Sequence, residues 1–270
     1  MPTALIVEDE PAANDLLSAL VQLRGYRTDS AFTGAEALEK IVLRPPDVVF
    51  LDLMLPDVNG YEVCQSLKAG EGTRKATVVV VTARVASENR IESFYAGADD
   101  YIPKPYTPDQ IFRALADAEA WRRAVERPEA EGIISLGRDD GDESLRQIAR
   151  LRGLLLALTP LDGDAVVRLG AFLIELWKSA DSWGRGHDTP RVADLAYRLD
   201  ARGLSLEVLD GPEWLASNPM SREPDLRAAI AAARFREVGH REAKLSLSFV
   251  EGRPSPGRPG SGPTDGPHPH

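Results

Sequence analysis

From Thr3 to about Arg123 the chain alternates short, wholly apolar runs with stretches of helical period, a pattern that few folds accommodate. Ala4 to Val7, Val48 to Leu51 and Val78 to Val81 hold no polar residue, as strands buried on both faces require. Pro11 to Leu23, Gly34 to Leu43 and Gly60 to Ala69, lying between those runs, place apolar residues at three-to-four spacing. A weaker strand at Arg27 to Ala31 and the run Tyr101 to Pro103 complete five strands. A last helix starts near Pro108 and runs to about Arg127, where Pro128 stops it. The pattern predicts an α/β fold: a doubly wound five-stranded parallel sheet with helices on both sides.

At 270 residues the chain exceeds what one core usually organises, so a second domain is expected, with the boundary near Pro128. Residues 129–142 mix charge and glycine around a short apolar run, Ile133 to Leu136, that could open a new unit. Two helical segments follow, Glu143 to Leu158 and Asp164 to Ser179, separated by the turn-forming Thr159-Pro160-Leu161-Asp162-Gly163. Arg191 to Leu199, Leu204 to Leu209 and Lys244 to Val250 read as strands, and the alanine-rich Ala228 to Arg236 as a helix. The division expected is residues 1–122, a linker at 123–142, a two-layer α/β domain at 143–250 and a tail at 251–270. Proline and glycine make up over half of that tail, so it is expected to be disordered.

Composition narrows the function. Lys and Arg total 32 against 42 Asp and Glu, a formal charge of -10, which is the wrong sign for holding a phosphate backbone. Cys64 is the sole cysteine, so neither an intramolecular disulfide nor a thiolate metal cluster can form. No apolar run approaches the ~20 residues that span a bilayer, and Met1 to Asp9 lacks the features of a secretory signal. A cytoplasmic protein without a membrane partner is the expectation.

Chemistry gathers where the apolar strands end. Glu8 and Asp9 follow the first strand and Asp52 follows Val48 to Leu51. In an open parallel sheet these ends converge on one crevice. Three convergent carboxylates suit a hard divalent cation, Mg²⁺. Thr82 and Lys104 add a hydroxyl and a fixed positive charge at the ends of the next two strands. An aspartate beside Mg²⁺ and a lysine is equipped to accept a phosphoryl group, because both cations offset charge on the transferring oxygens. The bland alternative is a structural ion-pair cluster; Asp99 and Asp100 are expected to be solvated loop charges.

With Val7-Glu8-Asp9, Leu51-Asp52-Leu53-Met54-Leu55-Pro56 and Gly60, Val81-Thr82-Ala83, and the run Gly97 to Pro105 in this order, the chain resembles the receiver domain of two-component response regulators over residues 1 to about 122. The resemblance implies a flavodoxin-like sheet. It further implies that Asp52 takes phosphate from a histidine kinase or phosphotransfer protein. Asp9, Asp52 and the backbone carbonyl of Met54 would bind Mg²⁺, with Glu8 acting through water. Lys104 would pair with the phosphoaspartate, Thr82 and Tyr101 would form a switch pair, and Lys104-Pro105 would be cis.

Acids outnumber Lys and Arg in residues 128–250 as well, and no helix there concentrates a basic face. The expectation is a non-DNA-binding output that meets an unidentified protein partner, with a homodimer allowed and no nucleic acid among its partners. Phe172 to Gly184 and Leu206 to Trp214 resemble GHKL-type ATPase domains of the anti-sigma, serine-kinase-like kind. Glu175, Ala180, Gly184, Gly211 and Pro212 match that pattern, whereas Ser179, Trp183, Leu209 and Glu213 depart from it. Those departures imply a lost nucleotide site and a non-enzymatic output; an active ATP-dependent kinase is the alternative.

Overall fold

The computed structural model describes residues 1–70, 72–127, 129–137, 143–159, 163–188, 191–200, 203–209, 236–237 and 244–248. Strands β1 (Thr3–Val7), β2 (Arg27–Ala31), β3 (Val48–Leu51), β4 (Thr77–Thr82) and β5 (Asp100–Pro103) form a parallel sheet in the order β2-β1-β3-β4-β5. Helices α1 (Pro11–Leu23), α2 (Gly34–Leu43), α3 (Gly60–Ala69), α4 (Ser87–Ala96) and α5 (Pro108–Ala124) connect and flank the strands. This is the flavodoxin-like doubly wound order, whose crevice lies between β1 and β3.

The period of two in a strand explains why both faces are covered. Ile6, Phe50, Val79 and Val81 pack with Leu17 and Val21 of α1 and Ile111 and Leu115 of α5. Their chain neighbours Leu5, Val7, Val49, Leu51, Val78 and Val80 pack on the opposite side with Ala37, Ile41, Val63, Leu67 and Phe94. Helix α4 was not anticipated from the sequence. Its segment Ser87 to Ala96 is short and polar, and Ser93 is fully buried with its hydroxyl donated to the Asn89 carbonyl, so its apolar stripe is thin. It ends at Gly97, whose φ of 113° is left-handed backbone that glycine adopts without strain.

Cys64 lies in this core, and burial pushes its thiol up to about 12. We expect no reaction of the native chain with an aromatic disulfide reagent at neutral pH, and release of one thiol per chain after denaturation. Fast labelling of the folded protein would contradict the packing.

The second unit comprises β6 (Ala130–Gly137), α6 (Glu143–Leu158), α7 (Gly163–His187), β7 (Arg191–Asp200), β8 (Gly203–Leu209), β9 (Arg236–Glu237) and β10 (Lys244–Ser248). Its sheet is antiparallel in the order β6-β7-β8-β10-β9. The stretch 123–142, read above as a linker, thus carries the edge strand β6, where the run Ile133 to Leu136 hinted at one. At that edge the Ser135 N–H donates to Gln147 Oε1 of α6 at 3.1 Å. Helix α7 runs past the expected Ser179 and ends at His187. The helix expected at Ala228 to Arg236 lies outside the described residues up to 235, and Arg236 opens β9. His240, residues 211–214 and the tail at 251–270 also lie outside them. No described helix is long and apolar enough to cross a membrane.

Helix α6 is buried on nearly all sides, from Leu145 and Ile148 through Leu151, Arg152, Leu154 and Leu155. The reason is its position: one side faces the second sheet, the other faces α4, β5 and α5. Gly153 admits the Trp121 ring of α5 so closely that a Cβ there would lie 2.8 Å from it.

Candidate functional site

The carboxyl ends of β1, β3, β4 and β5 bring together Glu8, Asp9, Asp52, Thr82 and Lys104. One carboxylate oxygen from each of Glu8, Asp9 and Asp52 lies within 4.8 Å of the other two. Glu8 and Asp52 are buried and Asp9 is exposed, so the cluster opens to solvent on the Asp9 side. Lys104 Nζ donates to Asp52 Oδ2 at 2.6 Å and to Glu8 Oε2 at 2.5 Å. Burial works to lower the Lys104 ammonium, but its bonds to Asp52 and Glu8 outweigh that and hold it above the ordinary lysine value. Burial raises the Glu8 carboxyl, which Lys104 opposes and the charges of Asp52 and Asp9 reinforce. Three carboxylates against one lysine leave surplus negative charge on hard oxygen donors, which fits Mg²⁺.

Each group is held by its local structure. Asp52 Oδ1 accepts from the Met54 backbone N–H at 2.9 Å, which turns the chain after β3. Met54 is paired with Asn59, and Gly60 starts α3 so near the turn that a Cβ would sit 2.6 Å from the Asp52 carbonyl oxygen. Asp57 in the same loop caps α2, accepting from Gly34 N–H at 2.8 Å and Ala35 N–H at 2.9 Å, bonds that hold its carboxyl below the usual range. Thr82 is fully buried, and its Oγ1 accepts from Arg84 N–H at 3.4 Å. Tyr101 is buried on β5 and donates its hydroxyl to the Arg84 carbonyl. The Lys104-Pro105 peptide is cis.

Sequence reasoning missed three supports. Asn14 of α1 is fully buried, donates to the carbonyls of Glu8 (3.2 Å) and Ile6 (3.4 Å), and accepts from Ser30 Oγ (2.6 Å), tying the end of β1 in place. Asp99 and Asp100 are not the solvated loop charges expected. Asp99 accepts from Lys68 Nζ at 2.6 Å and Val78 N–H at 2.8 Å. Asp100 is buried, which raises its carboxyl, and it pairs with Arg113 at 3.1 Å and Arg146 at 3.5 Å. Strand-end position was the available signal, because β5 begins at Asp100.

Strand order and converging acids define a receiver domain, and residues 4–116 match the response regulator receiver domain family. The chain is 33% identical over 165 residues to the DNA-binding response regulator MtrA of Mycolicibacterium smegmatis, matching 61% of this chain and 69% of that protein. It belongs to the response regulator family. It is also 38% identical over 127 residues to the DNA-binding dual master transcriptional regulator RpaA of Synechocystis, covering 47% of this chain and 52% of RpaA. Against the transcriptional regulatory protein KdpE of Mycobacterium tuberculosis the identity is 40% over 118 residues, 44% of this chain and 51% of KdpE. The chain therefore spans about half the length of RpaA and KdpE. A putative response regulator from Chloroflexus aurantiacus is a structural neighbour at 30% identity and a TM-score of 0.43, covering 44% of this chain and 99% of that one. The receiver domain of a Pseudomonas aeruginosa sensor histidine kinase, with magnesium coordinated in its active-site cleft, is another, at 26% identity and a TM-score of 0.42 over 44% of this chain and 98% of that one.

These relatives correct two expectations. MtrA and RpaA are DNA-binding by name, and KdpE is a transcriptional regulator, against the non-DNA-binding output and the absence of nucleic acid expected above. The error has a physical source. Acids outnumber Lys and Arg in the whole chain and in residues 128–250 alike, but such a sum does not locate charge, whereas nucleic-acid contact depends on the local face presented.

Proposed function

We propose that the chain accepts a phosphoryl group on Asp52 from a histidine kinase or phosphotransfer protein and passes the signal to transcription. The observation that carries the first half is Lys104 bonded to Asp52 and Glu8 at the rim where three carboxylates meet. An Asp52 carboxylate oxygen attacks phosphorus, the P–N bond to the donor imidazole breaks, and the imidazole leaves with a proton. Lys104 stays beside the acylphosphate oxygens, and Thr82 supplies a hydroxyl donor from the adjacent strand end. Mg²⁺, held by Asp9, Asp52 and the Met54 carbonyl with Glu8 through water, would offset charge on the transferring oxygens. Tyr101, joined to the Arg84 carbonyl two residues beyond Thr82, is placed to follow a movement of that strand end.

We read residues 1–122 as the receiver and the remainder from β6 as the output unit. Its antiparallel sheet under α6 and α7 supports a GHKL-like fold, and Glu175 supports a lost nucleotide chemistry, because it accepts from Tyr95 Oη of α4 and from Lys178 Nζ. A fold does not dictate its target, and the names of MtrA and RpaA carry DNA to this chain as the proposed one. The test is a mobility-shift titration of the full chain on promoter fragments from its own genome, with and without beryllofluoride and Mg²⁺. Retardation that changes on activation and weakens with salt is expected. No retardation in either state at low salt would overturn the transcriptional half and leave the phosphoacceptor half standing.

A further inference from the structure

The end of the first sheet opposite the acidic cluster holds a cleft with free positive charge. Strands β1 and β2 run parallel, with Thr3 beside Arg27 and Leu5 beside Asp29. Side chains alternate along a strand, so Arg27 and Asp29 share the face of Ala31, which Ala37 and Ile41 of α2 cover. Helix α2 stops at Leu43, and Pro45 and Pro46 then lead the chain toward β3 with fixed φ and no N–H to offer. The start of the edge strand β2 is therefore left uncovered. The space there is a cleft of about 560 Å³, within the range of small-molecule sites. It is bounded by the starts of β1 and β2, by Lys40 and Arg44, and by Leu43, Pro45 and Pro46.

The charges in this cleft are unequally occupied. Lys40 pairs with Asp29 at 2.9 Å and with Glu36 at 3.1 Å. Among the described residues, the Arg27 and Arg44 guanidinium groups make neither a hydrogen bond nor an ion pair. The carbonyl end of α2 opposes an anion, but the Arg44 N–H already occupies the Lys40 carbonyl. Three cations against Asp29 leave the lining net positive in a chain of formal charge -10. The other wall is apolar: Leu43 is 70% exposed beside the two proline rings. Asp29 Oδ1 accepts from Lys40 Nζ and Ser30 N–H, while its Oδ2 carries no hydrogen bond among the described residues.

We propose that this cleft binds a nucleoside monophosphate, with Arg27 and Arg44 taking the phosphate and the base lying against Leu43, Pro45 and Pro46. Two planar guanidinium forks match the oxygens of a phosphate monoester. A bare phosphate would leave the apolar wall wet, and an apolar ligand would leave both forks without acceptors. A nucleotide satisfies both halves, and a ribose hydroxyl or an exocyclic amine can donate to Asp29 Oδ2. Bound there, it joins β2 to the segment between α2 and β3 and stabilises the folded chain by mass action. The site is separate from Asp52, which follows the opposite end of β3, and does not depend on its role.

The test is calorimetric titration of AMP, adenosine and inorganic phosphate into the full chain in metal-free buffer at low ionic strength, beside thermal melts. AMP is expected to bind one site and raise the melting temperature, with adenosine and phosphate each roughly tenfold weaker or more. The double variant Arg27→Ala/Arg44→Ala should lose roughly tenfold or more in AMP affinity, and Leu43→Asp should weaken AMP more than phosphate. All three side chains are exposed, so these variants should melt with the wild type. If the double variant melts lower, Arg27→Lys/Arg44→Lys decides: weaker AMP binding supports the site, because charge is kept and the forks are lost, and equal binding overturns it. AMP binding unchanged in the double variant would place the nucleotide elsewhere, the second unit included, and overturn the proposal. Equal affinity for phosphate and AMP would reduce the cleft to an anion patch and overturn it, as would no heat with AMP up to about 1 mM.

Discussion

Replacing Asp52 by asparagine is expected to abolish covalent labelling by acetyl phosphate and Mg²⁺, with the melting temperature close to that of the wild type. Asparagine keeps the size and the acceptor for the Met54 N–H, but an amide oxygen is too weak a nucleophile to form an acylphosphate. Intact-mass spectrometry reads the outcome directly as a phosphoryl adduct on the wild type and none on the variant. An equal adduct on Asp52→Asn would place the acceptor elsewhere, on Asp9 or Glu8, and remove the basis of the proposed function.

Lys104→Met should produce the next largest effect, and it separates two roles of one side chain. Without the ammonium, charge on the transferring oxygens loses a fixed partner, and the labelling rate is expected to fall about 10²- to 10³-fold. The same change leaves buried Glu8 and Asp52 facing each other without their shared cation. In metal-free buffer this should destabilise the fold by about 2 to 3 kcal/mol, less than a fully buried pair would, because Lys104 is 22% exposed. Mg²⁺ should restore much of that stability without restoring the rate. Thermal melts with chelator and with Mg²⁺, run beside labelling time courses, check both. Labelling at the wild-type rate would mean that Lys104 is only a structural partner of Glu8.

The receiver was legible because its signals are local. Val78 to Val81 cannot be other than a doubly buried strand, and residues that follow such strands in a parallel sheet must share one rim. That logic brings Glu8, Asp9, Asp52, Thr82 and Lys104 together from the sequence alone. The features that escaped depend on distant partners. Asp100 looks like any loop acid until Arg113 and Arg146 are seen against it, and Arg146 is 46 residues away. The role of Arg152 escaped because its acceptors are backbone carbonyls 54 to 58 positions earlier, which no side-chain pattern announces. Helix α4 escaped for the opposite reason: with buried Ser93 and few large apolar residues, it is helical through its neighbours more than through its own periodicity. Charge counting was a poor guide to the output because a sum, over the chain or over residues 128–250, does not say where on the surface the charges lie.

The outer edge of β6 carries a last consequence. A strand that ends a sheet offers bare amides and carbonyls, to which an extended segment of any other molecule can zip. Here the side chain of Gln147 leans across from α6 and occupies the Ser135 amide, so the ladder is interrupted where a foreign strand would have to begin. That guard exists only while α6 stays in place over β6. A chain in which α6 is loosened therefore exposes a sticky border, which ties the solubility of this protein to the seating of a single helix.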